Sequence, residues 1–160
     1  MSSQSGNDAS ATRKRALRRL AREQETAYRK HYTALRPAAT SSHTARGQAW
    51  TRLRHDFPDR YVELYIEERS TGPADAPPNI RTKAWQRASS LLSDLTAVEY
   101  HRLLDRARAE GFNEAAAYAR AVSQLRNSHT ELFAQILSSE IEMWLANETD
   151  ECASLPIANP

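Results

Sequence analysis

The sequence predicts an all-α protein made of four helix-turn-helix hairpins, arranged as a tandem duplication of a two-hairpin unit. Three observations predict it: a helix-favouring composition, an aromatic residue that recurs with the same companions around it, and helix-restart signals between the companions and the aromatic.

Alanine, leucine, arginine and glutamate dominate the 160 residues, and there are only four glycines. These four residue types lose little side-chain freedom on entering a helix. The apolar fraction of 40% and charged fraction of 26% describe an ordinary, slightly polar globular chain, long enough for one domain or two very small ones. Only three of the 22 basic residues are lysine, a usage that points to a GC-rich bacterial genome.

The recurrence is anchored on Tyr28, Tyr61, Tyr100 and Phe133, spaced 33, 39 and 33 residues apart. Twelve residues before each anchor stands an alanine (Ala16, Ala49, Ala88, Ala121), and eight before it a leucine (Leu20, Leu53, Leu92, Leu125). Four after each comes a large side chain: Tyr32, Tyr65, Leu104 or Leu137. A constant shift of 72 carries the first two units onto the last two, pairing Arg54 with Arg126 and Glu68 with Glu140 among others.

Each unit reads as a hairpin because alanine and leucine four apart share one helix face, after which the chain meets a restart. In the second unit the restart is Phe57-Pro58, with proline suited to a first helical position. Thr96 with Glu99 predicts a capping box in the third unit, and Ser128 with Glu131 another in the fourth. Unit one has no clear break between its helices and leaves room for one long helix. The anchors and the tryptophans Trp50, Trp85 and Trp144 are expected to build the core, since aromatic residues at helical spacing usually do.

The domain reading follows. Residues 1–11 are expected to be a disordered tail, and 12–69 the first, basic two-hairpin half. Residues 70–80 read as a proline-rich linker, 81–146 as the second half with an acidic C-terminal end, and 147–160 as a disordered acidic tail. Pro37 to Thr44 joins units one and two, and Gly111 is the expected helix C-cap between units three and four.

Charge is the strongest functional signal. Between Arg13 and Arg54 stand twelve basic residues and two acids, a net of +10, and no acid at all occurs from Thr26 to His55. From Glu131 to Pro160 there are six acids and no lysine or arginine, so the overall +2 conceals a steep polarity. Arginines at 15, 18, 19 and 22 present a positive helix face while Leu17 and Leu20 point inward. Such a face suits phosphate contacts, because each neutralised phosphate releases condensed counterions.

The run from Leu95 to Gly111, continuing to Arg120, resembles the paired helices of ribbon-helix-helix DNA-binding proteins. That family places a β-strand directly before them. Ala84 to Asp94 contains no β-branched residue and reads as helix, so the defining strand is missing and membership is not inferred.

Other classes find little support. One cysteine, Cys152, allows no internal disulfide and no zinc spacing. His101 and Asp105 read as a local polar pair rather than a metal edge. No metalloprotease helix, phosphate loop or nucleophile elbow is present. No catalytic residue, metal or cofactor is therefore predicted. With neither a spanning segment nor a signal-peptide core, the expected setting is the cytoplasm, without membrane association.

The expected function is a small bacterial nucleic-acid-binding accessory or regulatory protein, with DNA ahead of RNA as partner. Its expected contacts are Arg13, Lys14, Arg15, Arg18, Arg19, Arg22, Arg52 and Arg54. The alternative is a non-enzymatic helical-repeat interaction module or homo-oligomeric adaptor, because stacked hairpins expose long binding surfaces and oppositely charged ends can pair.

Overall fold

The computed structural model describes residues 3–69 and 76–154, with side chains for 9–69 and 76–147. Among these residues the chain is all-helical. Eight helices follow in order: α1 (Ser3–Glu23), α2 (Glu25–Leu35), α3 (Ser42–Asp56), α4 (Pro58–Arg69), α5 (Pro78–Leu95), α6 (Ala97–Ala109), α7 (Glu114–Ser128) and α8 (Thr130–Ser154). A 3-10 turn, Arg36–Ala38, follows α2. Helix α5 occupies the place where a ribbon-helix-helix protein would carry its strand.

Within each unit the two helices are separated by a single residue: Gln24, Phe57, Thr96 or His129. All four adopt nearly the same conformation, with φ between −111° and −126° and ψ between 39° and 61°. Each sits four residues before its anchor and keeps the hydrogen bonding alive on both sides. The break residue donates to the leucine four before it (Leu20, Leu53, Leu92, Leu125), at 2.9 Å in every case. The anchor's N–H then bonds back to the break residue's carbonyl at 2.8 to 3.0 Å.

This geometry corrects the hairpin expectation. The two helices of a unit meet end to end and touch mainly around their junction, so the break is an elbow and not a reversal. The reversals lie between units, where α1 packs along α4 and α2 along α3, then α5 along α8 and α6 along α7. Unit one has an elbow too, at Gln24, where the sequence shows no break signal.

Neither expected capping box forms. The Thr96 hydroxyl donates to the Leu92 carbonyl at 2.7 Å, and Glu99 pairs with His129 instead. Ser128 ends α7, while Glu131 reaches across to Tyr65 and Arg69. An elbow that preserves its backbone bonds leaves fewer orphan N–H groups for a cap to satisfy.

The true reversals carry true caps. Ser41 accepts from the Thr44 N–H at 3.1 Å to start α3. Asn113 accepts from the Ala116 N–H at 2.8 Å to start α7. Gly111, at φ +94°, ends α6 as expected, with Gly111 N–H bonded to Arg108 and Phe112 N–H to Ala107.

Helical backbone also enters both segments expected as tails, from Ser3 in α1 and to Ser154 in α8. Once a helix is nucleated by packing, each further residue adds a hydrogen bond at low cost. No glycine or proline interrupts 130–155. Of the expected linker, 70–75 lie outside the described residues, and α5 already begins at Pro78.

One hydrophobic core spans both halves. It joins Ala16 and Leu20 of α1, Leu53 of α3, Tyr61, Leu64 and Tyr65 of α4, Ala88 and Leu92 of α5, Leu125 of α7, and Phe133 and Leu137 of α8. A smaller cluster of Leu104, Ala107, Ala117 and Ala121 seals α6 against α7. Of the four anchors, Tyr61 and Phe133 are fully buried. Tyr28 and Tyr100, in the outer hairpins, and the three tryptophans flank the core as partly buried side chains.

The halves meet where α4 packs on α7 and α8. Arg54 stacks 4.4 Å over the Tyr61 ring and crosses the seam. Its Nε donates to Asn127 Oδ1 at 3.0 Å, and a second nitrogen bonds the Asn127 carbonyl and the Thr130 hydroxyl. Arg126 crosses the other way, to Asp59 at 3.0 Å, and also donates to Ser89. Glu131 accepts from the Tyr65 hydroxyl at 2.5 Å and pairs with Arg69 at 3.0 Å.

Candidate nucleic-acid interface

Helix α1 turns one face to the core through Thr12, Ala16, Leu17 and Leu20. At 100° per residue the opposite face is the line Lys14, Arg18, Arg22, each four residues after the last. All three are exposed, and so is Arg13, which lies on the other side of the helix, about 140° from Arg18. None of these four has an ion-pair partner among the described residues.

Arg15 and Arg19 are turned sideways toward α4. Arg15 Nε lies 3.2 Å from Glu68 Oε2, and another of its nitrogens donates to the Thr12 hydroxyl at 3.3 Å. Arg19 bonds Glu67 at 2.7 Å and Glu68 at 3.1 Å. The hydrogen bond that Arg19 donates to Glu67 holds the guanidinium above its ordinary pKa, against the opposing effect of burial. The same edge continues with Arg60, which grips both Glu23 oxygens at 2.6 and 2.7 Å and reaches Glu63 at 2.9 Å. The Arg60 contact keeps the Glu23 carboxyl below its usual range.

Arg52 and Arg54 do not share a surface, since residues two apart on a helix point about 200° apart. Arg52 is exposed and has no ion pair among the described residues, whereas Arg54 lies in the seam between halves. Arg54 and, less strongly, Arg13 partly offset the effect of burial, which raises the Tyr61 hydroxyl's pKa.

Of the eight residues read as contacts, the structure thus brings Lys14, Arg18 and Arg22 together on an open face. Arg13 and Arg52 are exposed elsewhere, and Arg15, Arg19 and Arg54 are engaged within the fold. In the first half, sequence reasoning passed over three further exposed cations without ion pairs among the described residues: Lys30, Arg36 and Arg46. The acid-free stretch from Thr26 to His55 was the signal that contained them.

The second half is only partly neutralised: Arg87 and Arg102 are exposed with no ion pair among the described residues, while other cations are held. Arg108 is held by Glu114 and Asp105, the latter taken by this arginine rather than by His101. In a shallow polar cleft lined by His55, Arg106 and Arg120, Glu110 sits 3.8 Å from both guanidiniums. Among the described residues no three His, Cys, Asp or Glu side chains cluster as a metal site, and no helix is long and apolar enough to cross a membrane. No protein family, curated protein or solved structure matches this chain.

Proposed function

We propose that this is a small, non-enzymatic nucleic-acid-binding accessory or regulatory protein of the bacterial cytoplasm, with DNA ahead of RNA as its partner. The observation that carries the reading is the outer stripe of α1. Lys14, Arg18 and Arg22 stand about 6 Å apart along the helix and face solvent without counter-ions among the described residues. Arg13 and Arg52 are exposed on other faces, while Arg15, Arg19 and Arg54 support the fold.

Reversing Lys14, Arg18 and Arg22 to glutamate should abolish binding to random duplex DNA at low salt and leave the helical circular dichroism unchanged. In the parent protein, log affinity should fall with log salt with a slope near −3, from about three phosphate contacts. Unchanged affinity in the triple variant would overturn the assignment.

The same proposal holds the two halves to be tandem duplicates. Four elbows with matched dihedrals, spaced like the anchors, support it.

A second reading, a protein-interaction module or homo-oligomeric adaptor, draws on a different observation. Leu95 and Val98 flank the third elbow at 66% and 86% exposure, where the first half carries the ion-paired Glu23. Light scattering that reports a monomer at every salt concentration would remove self-association from this reading.

A further inference from the structure

The two outer hairpins, α2–α3 and α6–α7, share a frame and differ in surface. In α6, Leu104 and Ala107 are buried against Ala117 and Ala121. At positions 72 earlier, α3 carries Ala45 and Ala49, also fully buried, but α2 carries Tyr32 and Leu35. These two are only partly buried, and α2 has no fully buried residue.

Tyr28 lies one turn before Tyr32, with ring centroids 5.9 Å apart, and it too is partly buried, with one side packed against the core. Arg36 comes one turn after, still in helical conformation at φ −57° and ψ −42°. Tyr28, Tyr32 and Arg36 therefore run along one line of the hairpin. Charge separates the hairpins further. On α6–α7, Arg106, Arg108 and Arg120 each have a carboxylate and Arg102 has none, whereas on α2–α3 Lys30, Arg36, Arg46 and Arg52 all have none among the described residues, with Arg36 and Arg46 at the tip.

We propose that the α2–α3 hairpin binds a single-stranded segment of nucleic acid, with bases stacked on Tyr32 and Tyr28 and phosphates against Arg36 and Arg46. This rests on the nucleic-acid reading of α1 and specifies its ligand. Partly exposed rings on the same hairpin as unpaired cations offer a π-face and a counter-charge together, the combination that holds unpaired bases without reading their sequence. A paired duplex keeps its base faces stacked away from such a surface, so the rings favour the single strand.

The test uses the full-length chain in fluorescence anisotropy with three labelled probes of one length and mixed sequence: single-stranded DNA, duplex DNA and single-stranded RNA. Single strands should bind more tightly than duplex, and the DNA and RNA arms identify which strand is preferred. Tyr32→Ala should weaken single-strand binding roughly tenfold while leaving duplex binding unchanged, and Tyr32→Phe should retain the parent affinity. Arg36→Glu, at an exposed position, should weaken single-strand binding as well, and it provides the readout if Tyr32→Ala fails to fold. Equal binding of single strand and duplex, indifferent to Tyr32→Ala or Arg36→Glu, would overturn this inference and leave the α1 reading standing. No binding of any probe at low salt would overturn both.

Discussion

Arg54 shows how far a residue's role depends on what the fold places beside it. In sequence it is one more cation in a basic segment. In the structure it stacks on Tyr61 and satisfies the Asn127 carbonyl and the Thr130 hydroxyl across the seam. Hydrogen bonds from a charged donor contribute about 1.5 to 3 kcal/mol, and a partner stripped of its donor pays a desolvation cost. Arg54→Ala should therefore lower unfolding free energy by about 2 kcal/mol in a urea titration. Arg18→Ala, on the open face of α1, should change it by no more than about 0.5 kcal/mol. The cations themselves were legible from composition and spacing. Which of them are neutralised was not, because Arg15 and Arg19 find Glu67 and Glu68 about fifty residues along the chain.

At the scale of elements, the sequence announced where helices stop and concealed what happens there. Phe57-Pro58 reads equally well as a turn or as an elbow, since both accept proline at a first helical position and a non-helical residue before it. The distinction rests on ψ at one residue, 61° at Phe57, which lets the i to i−4 bonds resume immediately. Gln24 shows that the elbow needs no special residue, which is why unit one looked unbroken. The reversals at Ser41 and Gly111–Asn113 were easier to read, because cap chemistry and a positive φ leave a compositional trace. If elbows resemble helix starts, proline should be tolerated just after one. Ala97→Pro, at the position equivalent to Pro58, should shift stability by less than about 1 kcal/mol, whereas Arg102→Pro in mid-helix should cost about 3 kcal/mol or more. Thermal unfolding of the two variants side by side checks this.

For the whole molecule, the shared core and the seam imply that the halves unfold together. Heat or denaturant should give one transition, coincident by circular dichroism and tryptophan fluorescence. The seam is also sensitive to acid. Burial alone would raise the Glu131 pKa, but the Tyr65 hydroxyl and Arg69 outweigh it and hold the carboxyl below its ordinary value of 4.5. A group depressed in the folded state contributes stability above its unfolded pKa and loses it as pH falls through the folded value. Stability should therefore decline below about pH 4.5, and Glu131→Gln should flatten that decline. Tyr65 has the opposite sign. Burial, then the bond to Glu131, raises its pKa above the usual 10, so its contribution is complete below pH 10 and fades in strong alkali.

The elbows also determine where this chain can grow. A single residue at each bend fixes the rotational phase of the next helix, so one inserted residue would turn everything downstream by about 100° and carry the anchor off its face. The tip between α6 and α7, closed by Gly111 and reopened by Asn113, carries no such phase relation. Grafted peptides, affinity tags or fluorophores are best accommodated there, and length variation within the four bent helices is confined to whole turns.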